Sequence, residues 1–220
     1  ASVFAADIDG DGQMDILSAS YNDDKIAWYE NTTTAPGTPT FTAADIATSA
    51  DGAKAAFAAD MDNDGDLDIV SASYNDQTIA WYENDGAADP SWTAANIVTS
   101  AGGVNSVFVA DMDNDGDLDI VSAASDNNDG ITWYENNGAA DPSFTASDIG
   151  NSNLYTLSVF VADMDNDGDM DIVSASYNDD KIAWFENDGA ADPSFTAANI
   201  ATSADGAYEV VAADMANDGD

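Results

Sequence analysis

The segment DMDNDGDLDIVSA occurs twice without change, at residues 60–72 and 111–123, and near-copies start at Asp7 and Asp163. The copies begin 53, 51 and 52 residues apart. A fixed period of that length points to tandem supersecondary units that bury apolar surface only by stacking on their neighbours. Every copy also has the form D-x-D-x-D-G-x-x-D, an oxygen-rich loop suited to a hard cation.

The period divides the chain into repeats at residues 3–53, 54–104, 105–157 and 158–208. Residues 209–220 begin a fifth repeat, with Asp214 and Asp218 in place but Ala216 at the third loop position. That loop is expected to bind weakly or not at all. The expectation is a stretch of a longer repeat array, the alternative being a complete protein that ends in mid-loop.

The 220 residues carry 43 acidic side chains against three lysines, with no arginine, histidine or cysteine. Thirty-eight of the acids are aspartate, a residue of turns and metal loops more than of helices. Such a surface offers nothing to neutralise phosphates, so a nucleic-acid partner is excluded, and an anionic membrane repels it. A hydrophobic content of 45% still allows a substantial core. No apolar run has the length of a membrane span, so membrane insertion is not expected. Without cysteine, the staple open to this chain is metal in place of disulfide.

In the fourth repeat, residues 158–163 form a short β-branched apolar run, as a buried strand does. The acidic loop follows, then strands over 171–177, 181–186 and 195–202, separated by the turn signals Asn178-Asp179-Asp180 and Asn187-Asp188-Gly189. No helical periodicity appears anywhere. The fold is predicted to be all-β, a tandem array of four-stranded blades in a β-propeller or an open propeller-like stack.

The aromatic motif I-[AT]-W-[YF]-E-N places Trp28, Trp81, Trp133 and Trp184 beside Tyr29, Tyr82, Tyr134 and Phe185. Adjacent strand residues face opposite sides, so one of each pair is expected in the core. The other is then free for packing or for stacking on sugar rings. Trp92 stands where the other repeats have Phe41, Phe144 and Phe195, a packing position.

The loops offer carboxylates at positions 1, 3, 5 and 9: Asp7, Asp9, Asp11 and Asp15; Asp60, Asp62, Asp64 and Asp68; Asp111, Asp113, Asp115 and Asp119; Asp163, Asp165, Asp167 and Asp171. Glycine at position 6 is expected to permit a reversal that a side chain would obstruct. All-oxygen donors in a flexible loop favour Ca²⁺, about four per chain, over Mg²⁺, and the absence of His and Cys argues against zinc or copper. An EF-hand opens alike but requires a bidentate acid at position 12, where this chain has Ser18, Ser71, Ser122 and Ser174.

Taken together, D-x-D-x-D-G-x-x-D-[IL]-[VL]-S-A followed by I-A-W-Y-E-N-D-G resembles the FG-GAP/VCBS repeats of integrin α-subunit propellers and many secreted bacterial proteins. The resemblance spans the four full repeats. It implies Ca²⁺ held by the side chains at positions 1, 3, 5 and 9 and by a main-chain carbonyl at position 7, which here belongs to Gln13, Asp66, Asp117 and Asp169. The Phe-Gly and Gly-Ala-Pro motifs of the integrin version are absent and the repeat is shorter, so integrin-like partner recognition does not carry over.

The expected function is that of a non-catalytic, calcium-stabilised repeat protein, extracellular or on the cell surface, with a structural or adhesive role. Its partners are expected to be neighbouring repeats or copies of itself in an array or filament. A carbohydrate-binding, lectin-like module is the alternative. Catalysis is disfavoured because any acid that might act as a base has equivalents in the other repeats. The clearest breaks in repeat symmetry, residues 31–40, 125–130 and 151–155, read as loop variation. Asn31-Thr32-Thr33 is an N-glycosylation sequon, and the Thr/Pro-rich stretch after it is a candidate for O-linked sugar.

Overall fold

Runs such as Val107-Phe108-Val109 and Ile79-Ala80-Trp81-Tyr82 combine β-branched and aromatic residues between Asp, Asn and Gly clusters, a pattern that suits a buried pleated surface. A computed structural model describes residues 2–125, 130–150, 155–213 and 215. Its regular elements are all strands, with no helix among the described residues.

The first sheet contains β1 (Ser2–Ala6), β2 (Asp15–Ser20), β3 (Lys25–Asn31) and β4 (Phe41–Ala47). The second contains β5 (Ala53–Ala59), β6 (Asp68–Ser73), β7 (Thr78–Asn84) and β8 (Trp92–Val98). The third contains β9 (Val104–Ala110), β10 (Asp119–Ala124), β11 (Ile131–Asn136) and β12 (Phe144–Gly150). The fourth contains β13 (Thr156–Ala162), β14 (Asp171–Ser176), β15 (Lys181–Asn187) and β16 (Phe195–Ala201). Each sheet is an antiparallel meander in chain order. The last strand always pairs with the third across a β-bulge, for example between Ile79 and Ala80.

The chain divides into two compact units, Ala1–Val104 and Asn105–Asp220, of two sheets each. In the first, Leu17, Ile26 and Trp28 pack with Ala56, Ile69 and Tyr82 of the second sheet. In the second, Val121, Ile131 and Trp133 pack with Val159, Ile172 and Phe185. Leu17, Ile69, Ile120 and Ile172 are wholly buried, each such side chain contributing about 1.5–3 kcal/mol.

Within each unit the Trp of the first sheet thus shares a core with the aromatic that follows the Trp in the second. The expectation that one of each pair stays out of the core holds only in part: Tyr29 and Trp184 are half-buried beside their buried neighbours, but the two middle repeats differ. Trp81 and Tyr82 are both buried, as are Trp133 and Tyr134. Adjacent residues still face opposite sides of their strands. Trp92 and Phe195 pack against the two cores as expected, whereas Phe41 is exposed.

Within the fourth repeat the predicted strands are found, the first starting two residues early at Thr156. The loop expectations at residues 125–130 and 151–155 lie largely outside the described residues, as do Asp214, Ala216 and Asp218 of the fifth loop.

Candidate metal centres

Position 1 of each acidic loop directly follows the first strand of its sheet, and position 9 is the first residue of the second strand. The loop is therefore the connection of a hairpin, closed by pairs such as Ala6 with Asp15, Ala59 with Asp68 and Ala162 with Asp171. Two residues per loop take left-handed backbone angles that turn the chain back on itself. At position 4 these are Asn63 and Asn114 (φ 60°) and Asn166 (φ 62°), with Gly10 (φ 71°) in the first loop. At position 6 they are Gly12, Gly65, Gly116 and Gly168, with φ between 90° and 101°.

The expected reason for glycine at position 6 needs correcting. A Cβ on any of these glycines would meet no atom within 4 Å. The constraint is backbone conformation, not obstruction.

Main-chain amides curl around the carboxylates. In the second loop Asp60 accepts the amides of Asp64 (3.1 Å) and Gly65 (3.0 Å), while Asp64 accepts that of Asp66 (3.0 Å). The third and fourth loops repeat this pattern around Asp111 and Asp163. One carboxylate oxygen from each of Asp60, Asp62 and Asp64 lies within 4.8 Å of the others, and the same holds for Asp111, Asp113 and Asp115 and for Asp163, Asp165 and Asp167.

The first loop differs. Gln13 stands where the others have Asp66, Asp117 and Asp169, and its Nε2 reaches back to Asp11 Oδ2 at 2.7 Å while its amide takes Oδ1 at 2.8 Å. Asp11 is thus occupied on both oxygens. The cluster there is Asp7, Asp9 and Asp15.

Position 9 has a second task. Asp68 is almost completely buried and accepts the Met61 amide at 3.1 Å and the Asn84 amide at 2.8 Å. Asp15, Asp119 and Asp171 make the equivalent pair of bonds. This carboxylate ties the loop to the end of the third strand. Outside the first loop it is not a member of the tight cluster.

Burial pushes the Asp68 carboxyl up to about 6 and the Asp119 carboxyl up to about 7, against the downward pull of the amides they accept. The indole N–H groups of Trp81 and Trp133 also favour the charged form, though they stand outside hydrogen-bond geometry. Desolvation, with repulsion from the neighbouring acids, likewise raises Asp9, Asp62, Asp113 and Asp165.

Residues 7–15, 60–68, 111–119 and 163–171 fit a hard divalent cation. The donors are all oxygen, their charges crowd one another, and Asp7 Oδ1 is buried without a hydrogen-bond partner. A cation would relieve the repulsion and desolvation together, and four Asp clusters, one per repeat, are compatible with calcium.

Two features escaped the sequence reading. The glutamate of W-[YF]-E-N faces the loop: Glu83 and Glu135 add to the repulsion on Asp62 and Asp113, and Glu30, raised first by desolvation, also feels Asp9. The asparagine after it closes the loop, Nδ2 of Asn31, Asn84, Asn136 and Asn187 donating to the carbonyls of Met14, Leu67, Leu118 and Met170 at 3.0 Å. Their recurrence in all four repeats was the available signal. Asn31, the sequon residue, therefore has the nitrogen that would carry a glycan already engaged.

A family model described as FG-GAP-like repeat matches residues 7–71, 60–122, 113–174 and 163–220. No curated protein matches the chain.

Proposed function

The chain belongs to the FG-GAP-like repeat family, and from that premise we propose that it is a non-catalytic, calcium-stabilised repeat protein with a structural or adhesive role outside the cell. The observation that carries this reading is the recurrence of one carboxylate cluster in every repeat, held by main-chain amides at the turn of each sheet's first hairpin.

Metal binding to such a loop acts on folding. Ordering four acids against mutual repulsion is unfavourable in the free chain, and a cation bound only by the folded loop shifts the equilibrium toward it. Loops of this kind operate at extracellular calcium levels more readily than at cytosolic ones, and the net charge of −40 is tolerated best where divalent ions and salt screen it. The residues that would hold calcium are the position 1, 3, 5 and 9 aspartates, with the position 7 carbonyls of Gln13, Asp66, Asp117 and Asp169.

Copies of the chain are the partners proposed here. Each sheet ends on a last strand that is largely solvent-exposed, as in β4 and β16, and an open edge accepts a strand from a neighbour. A surface array or filament is the assembled form this favours.

Calcium counting combined with thermal unfolding in calcium and in chelator tests the proposal. About four ions per chain and a melting temperature that collapses on chelation are expected, with Asp115→Ala removing one ion. An unchanged melt and no bound calcium would make these loops solvated turns.

A further inference from the structure

A cavity of about 300 Å³ opens in the second unit between the third and fourth sheets, on the face that carries Phe185. Its polar lining includes Thr156, Ser176, Asp179, Lys181 and Asn199. The Thr156 and Ser176 hydroxyls are buried and 3.4 Å apart. Gly150 lies against the edge of the Phe185 ring, where a methyl would come within 2.8 Å of it.

Both Asp179 carboxylate oxygens are shielded from solvent, yet neither accepts a hydrogen bond. Lys181 Nζ lies 3.0 Å from Oδ2, an ion pair by distance but off the line of a hydrogen bond. A shielded carboxylate with two idle acceptors is unfavourable unless something donates to it. The ammonium beside it keeps the site close to neutral, so the missing donor need carry no charge.

We propose that this cavity binds a neutral polyhydroxylated ring, a saccharide unit, with vicinal hydroxyls donating to the two Asp179 oxygens, Lys181 and Asn199 completing the polar contacts, and the apolar ring face against Phe185. A carboxylate accepts a pair of adjacent hydroxyls through its two oxygens, and an aromatic wall suits the C–H face of a sugar. The volume is at the small end of the range for ligand pockets, which matches a single ring.

The first unit supplies the contrast. Its equivalent cavity is lined by Asp76, Thr78, Tyr82 and Asn96. There Thr78 replaces the lysine, and Asp76 is exposed to solvent. The Thr78 amide donates to that carboxylate at 3.3 Å, so it already has a protein partner and the site is expected once per chain. This inference rests on the inter-sheet cavity and not on the calcium reading.

The test is titration of the intact chain, in calcium-containing buffer, with the methyl glycosides of glucose, galactose and mannose, read by calorimetry and by saturation transfer to the ligand. Saturable binding of at least one of them is expected, with one site per chain. Asp179→Asn and Lys181→Thr should each weaken it roughly tenfold or more through loss of a charged hydrogen-bond partner. Asp179→Asn leaves no uncompensated carboxylate beside the half-exposed lysine, so its melting temperature should stay near that of the parent. No saturable binding by any of the three, or binding that both variants leave intact, would overturn the proposal.

Discussion

Asn84 donates its side-chain amide to the carbonyl oxygen of Ile8, 3.3 Å away in the preceding repeat, while the same nitrogen reaches Leu67 in its own. Ile8 is position 2 of the first acidic loop and Leu67 is position 8 of the second. One buried asparagine therefore joins two loops. Asn187 repeats the arrangement in the second unit, bonding Met112 at 2.8 Å and Met170 at 3.0 Å.

Asn84→Ala should cost about 1–3 kcal/mol, because it leaves buried carbonyls without a donor. Asn31→Ala should cost less, since the Asn31 side-chain nitrogen donates only to Met14, with no bridge to another repeat, and the residue is only half-buried. Denaturant unfolding of the two variants in calcium checks the difference. Equal losses would show that the bridge to Ile8 contributes nothing.

Gly116→Ala tests the backbone argument. With φ at 98° and free space around the missing Cβ, the penalty is conformational, about 1–3 kcal/mol. Asn166→Gly, at φ 62° in the fourth loop, should be close to neutral. Melting temperatures in chelator separate the two, apart from any effect on metal affinity.

Gln13 holds both oxygens of Asp11, so the first loop should bind its cation less tightly than the other three. Gln13→Ala removes the side-chain bond and frees one oxygen. Stepwise calcium titration should show one weak site in the parent chain that tightens in this variant. Four equal sites in the parent would contradict it.

The metal-free protein should gain stability as pH falls. Asp68 and Asp119 titrate near 6 and 7 when folded but near 3.8 when unfolded, so between those values the folded chain holds protons that the unfolded chain has released. The associated stability is present below about 4 and is lost as pH rises through 6 to 7. In chelator the melting temperature should be higher at pH 5 than at pH 8. With saturating calcium the order should reverse, because protons compete for the ligating carboxylates. Melts at the two pH values, with and without calcium, decide it.

The strand order, the position of the acidic loop in the hairpin, and the all-oxygen donor set were legible in the chain because each is local. Apolar runs, turn residues and the D-x-D-x-D-G-x-x-D spacing act over a dozen residues and recur four times. The partition of labour among the acids was not legible. Identical aspartates at positions 5 and 9 diverge because Gln13 occupies one carboxylate and the strand ends bury another.

By itself, then, the sequence determined a repeating β-hairpin with a cation loop at its turn, since period-two apolar patterning and left-handed Asn and Gly positions follow from backbone sterics. Only the tertiary structure decided that both members of the pairs Trp81–Tyr82 and Trp133–Tyr134 are buried, that Asn84 spans two repeats, and that Asp179 is shielded without a hydrogen-bond donor while Asp76 accepts the Thr78 amide. Those outcomes depend on which sheet covers which face, and desolvation at a given side chain is a property of its neighbours in space.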